Sequence, residues 1–301
     1  MKLTILGNNS ALPAHDRHPT AQFLSLNATD ILLDCGEGTQ MQMTRYGLKW
    51  RRLSHVFISH LHGDHYLGLP GLLNSMSLLG RAAPLTVCGP AVLGQLLELL
   101  KNISGGHPYG YEVRFHPIAP AGELLADTPE FSVAAFPVEH RIETYGFVVT
   151  EKSKGRKLLA DKAAAAGVPV AFYNRLKAGE DFIQEDGTVI SGKSLTEDGP
   201  PSKRYAYCAD TRYTESYLES IRDADVIYHE STYLEEDAEK AMLRYHSTAR
   251  QAATLAHKAG AKKLLLGHYS SRYADLNPFV AEAADIFPET SATVEGESYE
   301  I

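Results

Sequence analysis

Cysteine is scarce in this 301-residue chain: Cys35, Cys88 and Cys208 are odd in number, far apart and set in or beside apolar segments. A disulfide framework is therefore not expected, and a reducing cytoplasm is the expected setting. Long hydrophobic runs are missing as well. No stretch approaches the roughly 18 apolar residues of a membrane span, and Gly7-Asn8-Asn9 cuts short the run Leu3-Thr4-Ile5-Leu6 before it could act as a signal sequence. Positive charge is in deficit, with 29 Lys and Arg against 37 Asp and Glu, a net of −8. Uniform acidity repels nucleic acid, so a nucleic-acid partner requires local positive charge from bound cations or from a basic segment.

What is present is an ordinary globular composition, 44% hydrophobic and 22% charged, enough for a sizeable core. Short apolar runs read as strands at Leu3 to Leu6, Ala21 to Leu26 and Ile31 to Leu33, the last two joined by the turn-forming Asn27-Ala28-Thr29-Asp30. Further strands are predicted near residues 56–59, 85–88, 112–115, 131–136 and 145–150, with helices near 37–46, 67–79 and 91–103. A second part repeats the theme, with strands near 205–208, 226–229 and 263–266 and helices near 213–222, 248–258 and 278–286. Strands interleaved with helices in both parts predict an α/β layered protein.

Between these parts residues 151–204 differ in character, being rich in Lys, Gly and Pro. The run of alanines predicts a helix over Leu158 to Ala166, stopped by Gly167 and Pro169. That helix offers little apolar area, so it is either a surface cover or part of a projecting arm. From Glu151 to Lys177 there are seven basic residues (Lys152, Lys154, Arg156, Lys157, Lys162, Arg175, Lys177) and two acidic ones. A solvated face is the plainer use of such a run; an RNA contact is the sharper one.

The strongest local signal is Ser59-His60-Leu61-His62-Gly63-Asp64-His65, leaving the apolar run Val56-Phe57-Ile58. His60 and His62 can reach one ion while Asp64 and His65, past Gly63, reach a second, and imidazole nitrogen with carboxylate oxygen suits zinc. Three more ligand-type residues stand where apolar runs stop: His140, Asp210 and His268. If all are ligands, two zinc ions share seven side chains, with His60, His62 and His140 on one, Asp64, His65 and His268 on the other, and Asp210 bridging.

The motifs LDCGEGTQ (33–40), FISHLHGDH (57–65) and GLPGLL (68–73) together resemble the ribonuclease Z family within the metallo-β-lactamase superfamily. The likeness continues through YCADT (207–211), HEST (229–232), YHST (245–248) and GHYSSRY (267–273), so it spans nearly the whole chain. It implies a four-layer αββα sandwich forming a single domain over 1–301, a homodimer, two Zn(2+) per chain, and an inserted flexible arm at 151–200 that grips precursor tRNA. The implied reaction is cleavage of the 3′ trailer to leave a tRNA 3′ hydroxyl. Two departures stand out: Asn8-Asn9 follows the first Leu-Gly where Thr or Ser is usual, and Val170-Ala171-Phe172-Tyr173 replaces a Gly-Pro pair in the arm.

By the same resemblance Asp64 is a proton acceptor as well as a ligand. His246, which metal binding does not require, is expected to serve the leaving oxygen, with Glu230 orienting its ring; a histidine at a helix start beside the capping Ser247 and Thr248 is the structural alternative. Arg272 offers a planar fork to an RNA phosphate, or a surface salt bridge. Tyr273 can stack on an unpaired base, or sit in the core. Lys154, Arg156, Lys157, Arg175 and Lys177 are the expected phosphate contacts of the arm. A hydrolase of small esters, lactones or sulfate esters is the competing reading, and a non-catalytic scaffold a third; neither explains a basic insertion together with a full ligand set.

Overall fold

The computed structural model describes residues 1–104 and 109–301, which divide into two compact units, 1–150 with 204–301 and 151–203. The larger unit is built on two seven-stranded sheets. One runs, across its width, through Ser298–Glu300, Lys2–Gly7, Ala21–Ser25, Asp30–Leu33, Leu53–Phe57, Leu85–Gly89 and Val113–Pro117. The other runs through Thr290–Ala292, Lys263–Gly267, Val226–Glu230, Lys203–Cys208, Tyr145–Glu151, Phe131–Pro137 and Leu124–Asp127.

Period-two alternation explains how these strands layer. In Lys203–Cys208, Tyr205 and Tyr207 enter the core between the sheets while Ala206 and Cys208 enter a second core under helices. In Asp30–Leu33, Ile31 and Leu33 face between the sheets and Leu32 faces away. Helices Thr39–Arg45, Leu69–Leu78 and Leu93–Ile103 cover the outer face of the first sheet through Met43, Leu69, Leu72, Leu73, Met76 and Leu93. Helices Ala249–Lys258 and Asn277–Ala284 cover the second through Ala252, Ala253, Leu255, Ala256, Phe279 and Ala283. The result is helix, sheet, sheet, helix, as expected.

Local expectations hold less evenly. The helix expected over 213–222 contracts to Leu218–Ile221; Tyr217 and Ile221 are buried in the core, with Tyr213 and Leu218 packed against it, and the Tyr213 hydroxyl donates to Glu215 (2.8 Å). Three short strands, Leu124–Asp127, Thr290–Ala292 and Ser298–Glu300, had no strand signal; they sit at sheet edges, where partners rather than periodicity define them. Helix Ala238–Arg244 was also unanticipated.

The smaller unit has a core of its own, with Ala163, Val168, Leu176 and Leu195 buried and Leu158, Phe172, Tyr173, Phe182 and Ile190 packed against them. The short helix Ala160–Ala165 is held by that cluster. In place of the Gly-Pro pair that the resemblance led one to expect, Val170–Phe172 makes one 3-10 turn running into the helix Tyr173–Lys177.

Candidate metal centre

The loops that leave strand ends carry the seven expected ligands to one place. Parallel pairing of Lys203–Cys208 with Val226–Glu230, and of the latter with Lys263–Gly267, puts Asp210, Glu230 and His268 at the same edge. From the facing sheet, the turn after Leu53–Phe57 delivers residues 59–65, and the amide of Tyr145 donates to the Ser59 carbonyl (3.0 Å) to join the two loops.

The glycines of the flanking motifs seat this turn. The Cys35 amide donates to the His65 carbonyl (2.8 Å) and the Gly68 amide to the Cys35 carbonyl (2.9 Å). A Cβ on Gly68 would lie 2.0 Å from the Gly36 carbonyl oxygen, and one on Gly36 2.4 Å from that of Asp64. Only glycine allows so close a backbone approach.

Two ligand sets emerge. His60 Nε2 lies 3.0 Å from His62 Nδ1, which lies 3.1 Å from His140 Nε2. His140 Nδ1 donates to the Tyr245 carbonyl (2.8 Å), so its Nε2 presents a lone pair in the neutral ring. The second set gathers His65 Nε2, His268 Nε2 (3.3 Å apart) and Asp64 Oδ2, which lies 3.5 and 3.4 Å from them. His65 Nδ1 donates to Asp34 Oδ2 (2.7 Å) and His268 Nδ1 to Thr232 Oγ1 (2.9 Å), which again turns lone pairs inward. Asp210 spans both sets, with Oδ2 3.6 Å from His60 Nε2 and Oδ1 3.1 Å from His268 Nε2 and 3.4 Å from His65 Nε2.

Facing lone pairs repel unless a cation lies between them. Asp210 Oδ1 is buried and accepts no hydrogen bond from the described residues despite that crowding, and each set is close enough to share one ion. The donor set therefore suits divalent metal of the zinc type. Burial, reinforced by neighbouring histidines, holds His60 well below the usual imidazole range, and burial lowers His62 and His140 too, so all three favour the neutral ligand form. Burial opposes charge on His65, but Asp210, Asp64 and Asp34 override it and raise its pKa.

His246 stands beside the second set. Its Nδ1 lies 2.9 Å from Glu230 Oε1 and 3.9 Å from Asp210 Oδ2. Burial works against its charge, yet the Glu230 carboxylate wins and raises its pKa. The helix that follows, Ala249–Lys258, is capped by Thr248 in a reciprocal box with Gln251, so His246 stands at a helix start as the structural alternative has it and takes no part in the cap. Strain concentrates nearby: Ala11, Asp34, Tyr245 and His268 all have left-handed φ, between 56 and 60°.

Arg272 and Tyr273 are not brought to this cleft. Arg272 Nη1 pairs with Asp237 Oδ2 (2.5 Å), the surface salt bridge that was the alternative, and the Tyr273 ring packs edge-on to Phe279 with centroids 5.0 Å apart. In the smaller unit Arg156 pairs with Asp198, Lys157 with Glu197 and Arg175 with Glu180, whereas Lys154 and Lys177 have no acidic partner among the described residues.

Sequence reasoning missed three contributors. Asp34 also accepts from the Ser59 amide (2.7 Å) and hydroxyl (2.8 Å) and from the Tyr207 hydroxyl (2.5 Å), and its only sequence signal was its place in the DCGEGTQ motif. The Ala11 amide donates to Asp64 Oδ2 (2.7 Å). Arg141 lines the cleft, of about 380 Å³, together with His62, Asp64, Asp210, His246 and His268. The unusual Asn9 shapes the same rim: its Oδ1 accepts from Arg17 Nε (3.0 Å) and its amide nitrogen ties to the Leu12 carbonyl.

Family comparisons agree with the geometry. A beta-lactamase superfamily domain model matches residues 163–269, and a model of the anti-Pycsar protein Apyc1 matches residues 1–103. The chain is 42% identical to a ribonuclease Z of Parabacteroides distasonis over 98% of its own length and 97% of the relative's. It is 41% identical to one from Porphyromonas gingivalis over 97% and 96%. The crystal structure of human tRNase Z, short form, superposes with a TM-score of 0.72 at 26% identity, covering 100% of this chain and 99% of the other. With that agreement along the whole length, the chain belongs to the ribonuclease Z family and has the metallo-β-lactamase fold.

Proposed function

We propose that this protein is a metal-dependent endoribonuclease that removes the 3′ trailer of precursor tRNA, using the cleft formed by His60, His62, Asp64, His65, His140, Asp210 and His268. One observation carries the reading: Asp210 stands between two separate histidine sets in a chain whose full-length relatives are named ribonuclease Z. We assign two Zn(2+), one to His60, His62 and His140 and one to Asp64, His65 and His268, with Asp210 shared. Such ions, when bound, acidify water toward neutral pH and neutralise charge on phosphoryl oxygens.

The remaining work falls to the chain. Asp64, held by the Ala11 amide, is placed to accept a proton from the attacking water. His246, its charge favoured by Glu230, is placed to give a proton to the departing 3′ oxygen of the tRNA. Glu230 is itself fixed by the Thr211 amide on Oε1 (3.0 Å) and by the Thr232 amide (3.0 Å) and hydroxyl (2.8 Å) on Oε2. Of the expected arm contacts, Lys154 and Lys177 are the ones without an acidic partner among the described residues and so are available to tRNA phosphates, whereas Arg156, Lys157 and Arg175 are internally paired. No helix among the described residues is long and apolar enough to cross a membrane. A cytoplasmic homodimer is the form we assign.

Incubating the zinc-loaded protein with a precursor tRNA carrying a 3′ trailer tests the reading. The expected products are tRNA with a 3′ hydroxyl and an intact trailer with a 5′ phosphate. Hydrolysis of small esters without any cut in the RNA would overturn it.

A further inference from the structure

The cleft is acidic: among its lining residues Glu37, Asp64 and Asp210 carry carboxylates, and Arg141 alone carries a permanent positive charge. An RNA strand passing this mouth meets repulsion at every phosphate that is not beside an ion. The backbone that carries Arg141 is tied down on both sides. Arg141 follows His140, whose ring is anchored on the Tyr245 carbonyl, within a turn closed by the Val138 amide on the Thr144 carbonyl (3.1 Å).

The two carboxylates of that same turn are occupied elsewhere. Glu139 pairs with Arg212 Nε (2.6 Å) and Glu143 accepts from the Tyr145 hydroxyl. The Arg141 side chain is exposed and makes no hydrogen bond or ion pair among the described residues. The guanidinium therefore stands unneutralised among the lining residues of the cleft that holds the candidate ligand His62 and the candidate acid His246, where the substrate backbone must run.

We infer that Arg141 binds the backbone phosphate adjacent to the scissile one and so sets the register of the RNA strand in the cleft. This rests on the endoribonuclease reading above and deepens it. A planar guanidinium offers paired donors to phosphate oxygens, and lysine can replace only its charge.

The test is a double cycle on zinc-loaded full-length protein. Arg141→Ala and Arg141→Lys are assayed on precursor tRNA and on versions in which the phosphate on either side of the cut is a neutral methylphosphonate. On native RNA, Arg141→Ala should lower kcat/KM by roughly 10- to 100-fold, the range for losing a charge-assisted hydrogen bond, with Arg141→Lys intermediate. The salt dependence should flatten by a slope of about 0.7, that of one single-strand phosphate contact. At one flanking position the methylphosphonate should cost the wild type heavily and Arg141→Ala almost nothing further. Metal content by elemental analysis should equal that of the wild type. Additive losses at both flanking positions, or a loss tracking metal content, would overturn the inference. Wild-type protein that leaves native precursor tRNA uncut would instead overturn the functional reading beneath it.

Discussion

Glu230 Oε1 lies 2.9 Å from His246 Nδ1, and the carboxylate accepts three further hydrogen bonds from Thr211 and Thr232. Such a buried, fully bonded carboxylate cannot reach substrate; it can only fix the ring and favour its charged form. His246→Ala should therefore keep the metals and the RNA affinity but slow cleavage by about 10² to 10⁴, the range for losing a general acid. Glu230→Gln should slow cleavage less than that while leaving metal content intact. Single-turnover rates with parallel elemental analysis check both, and activity falling in step with metal would make His246 a ligand instead.

Metal occupancy offers the second prediction. Active protein should carry close to two zinc ions per chain, and His65→Ala should lower both occupancy and activity. Asp34→Ala should weaken zinc binding by about 10- to 100-fold, because Asp34 fixes the His65 ring through a 2.7 Å hydrogen bond from its Nδ1. Competition with a chromogenic chelator measures this without any turnover. Full activity with one ion per chain would remove the two-ion arrangement.

These cases show what the sequence could and could not disclose. The seven candidate ligands were legible because four crowd into the loop that follows Val56-Phe57-Ile58 and the other three, His140, Asp210 and His268, stand where apolar runs stop; strand ends are where such sheets present side chains. Asp34 carried no comparable local signal: its role depends on Ser59, His65 and Tyr207 arriving from distant strands. Arg272 went the other way. Proximity to His268 in sequence suggested a place in the cleft, but the chain turns at residues 268–272 and gives the guanidinium to Asp237. Strands of both sheets were legible as short apolar runs, such as the one near 205–208, while the pairing of two sheets was expected only from the family resemblance; Ser298–Glu300, short and polar, is a strand because Lys2–Gly7 offers it an edge.

Gly68→Ala probes the seating of the ligand turn. The added carbon would meet the Gly36 carbonyl oxygen at 2.0 Å, a backbone atom that cannot rotate away. Destabilisation by about 1–3 kcal/mol, the usual cost of overpacking, is expected in thermal melts, with lowered metal retention because the Cys35–His65 backbone contact must shift. Gly47→Asn, in open space with φ of 65°, is the control and should leave both nearly unchanged. Equal melting temperatures for Gly68→Ala and wild type would deny the close approach any structural role.

The last prediction separates the cations of the 151–203 unit by their partners. Arg156, Lys157 and Arg175 already face Asp198, Glu197 and Glu180, so drawing any of them to RNA first requires breaking an ion pair. Lys154 and Lys177 have no such pair to break among the described residues. Lys154→Ala with Lys177→Ala should weaken precursor tRNA binding and flatten its salt dependence by a slope of about 0.7 to 0.9 for each phosphate that a lysine no longer meets. Lys157→Ala should change either quantity less. Replacing residues 151–203 by a short Gly/Ser linker should abolish the arm's contribution altogether while hydrolysis of bis-p-nitrophenyl phosphate survives, since every candidate ligand belongs to the other unit. Filter binding across a salt series, alongside the small-diester assay, reads all of these. A linker variant that processes precursor tRNA with the wild-type affinity and salt slope would show that the insertion does not hold RNA.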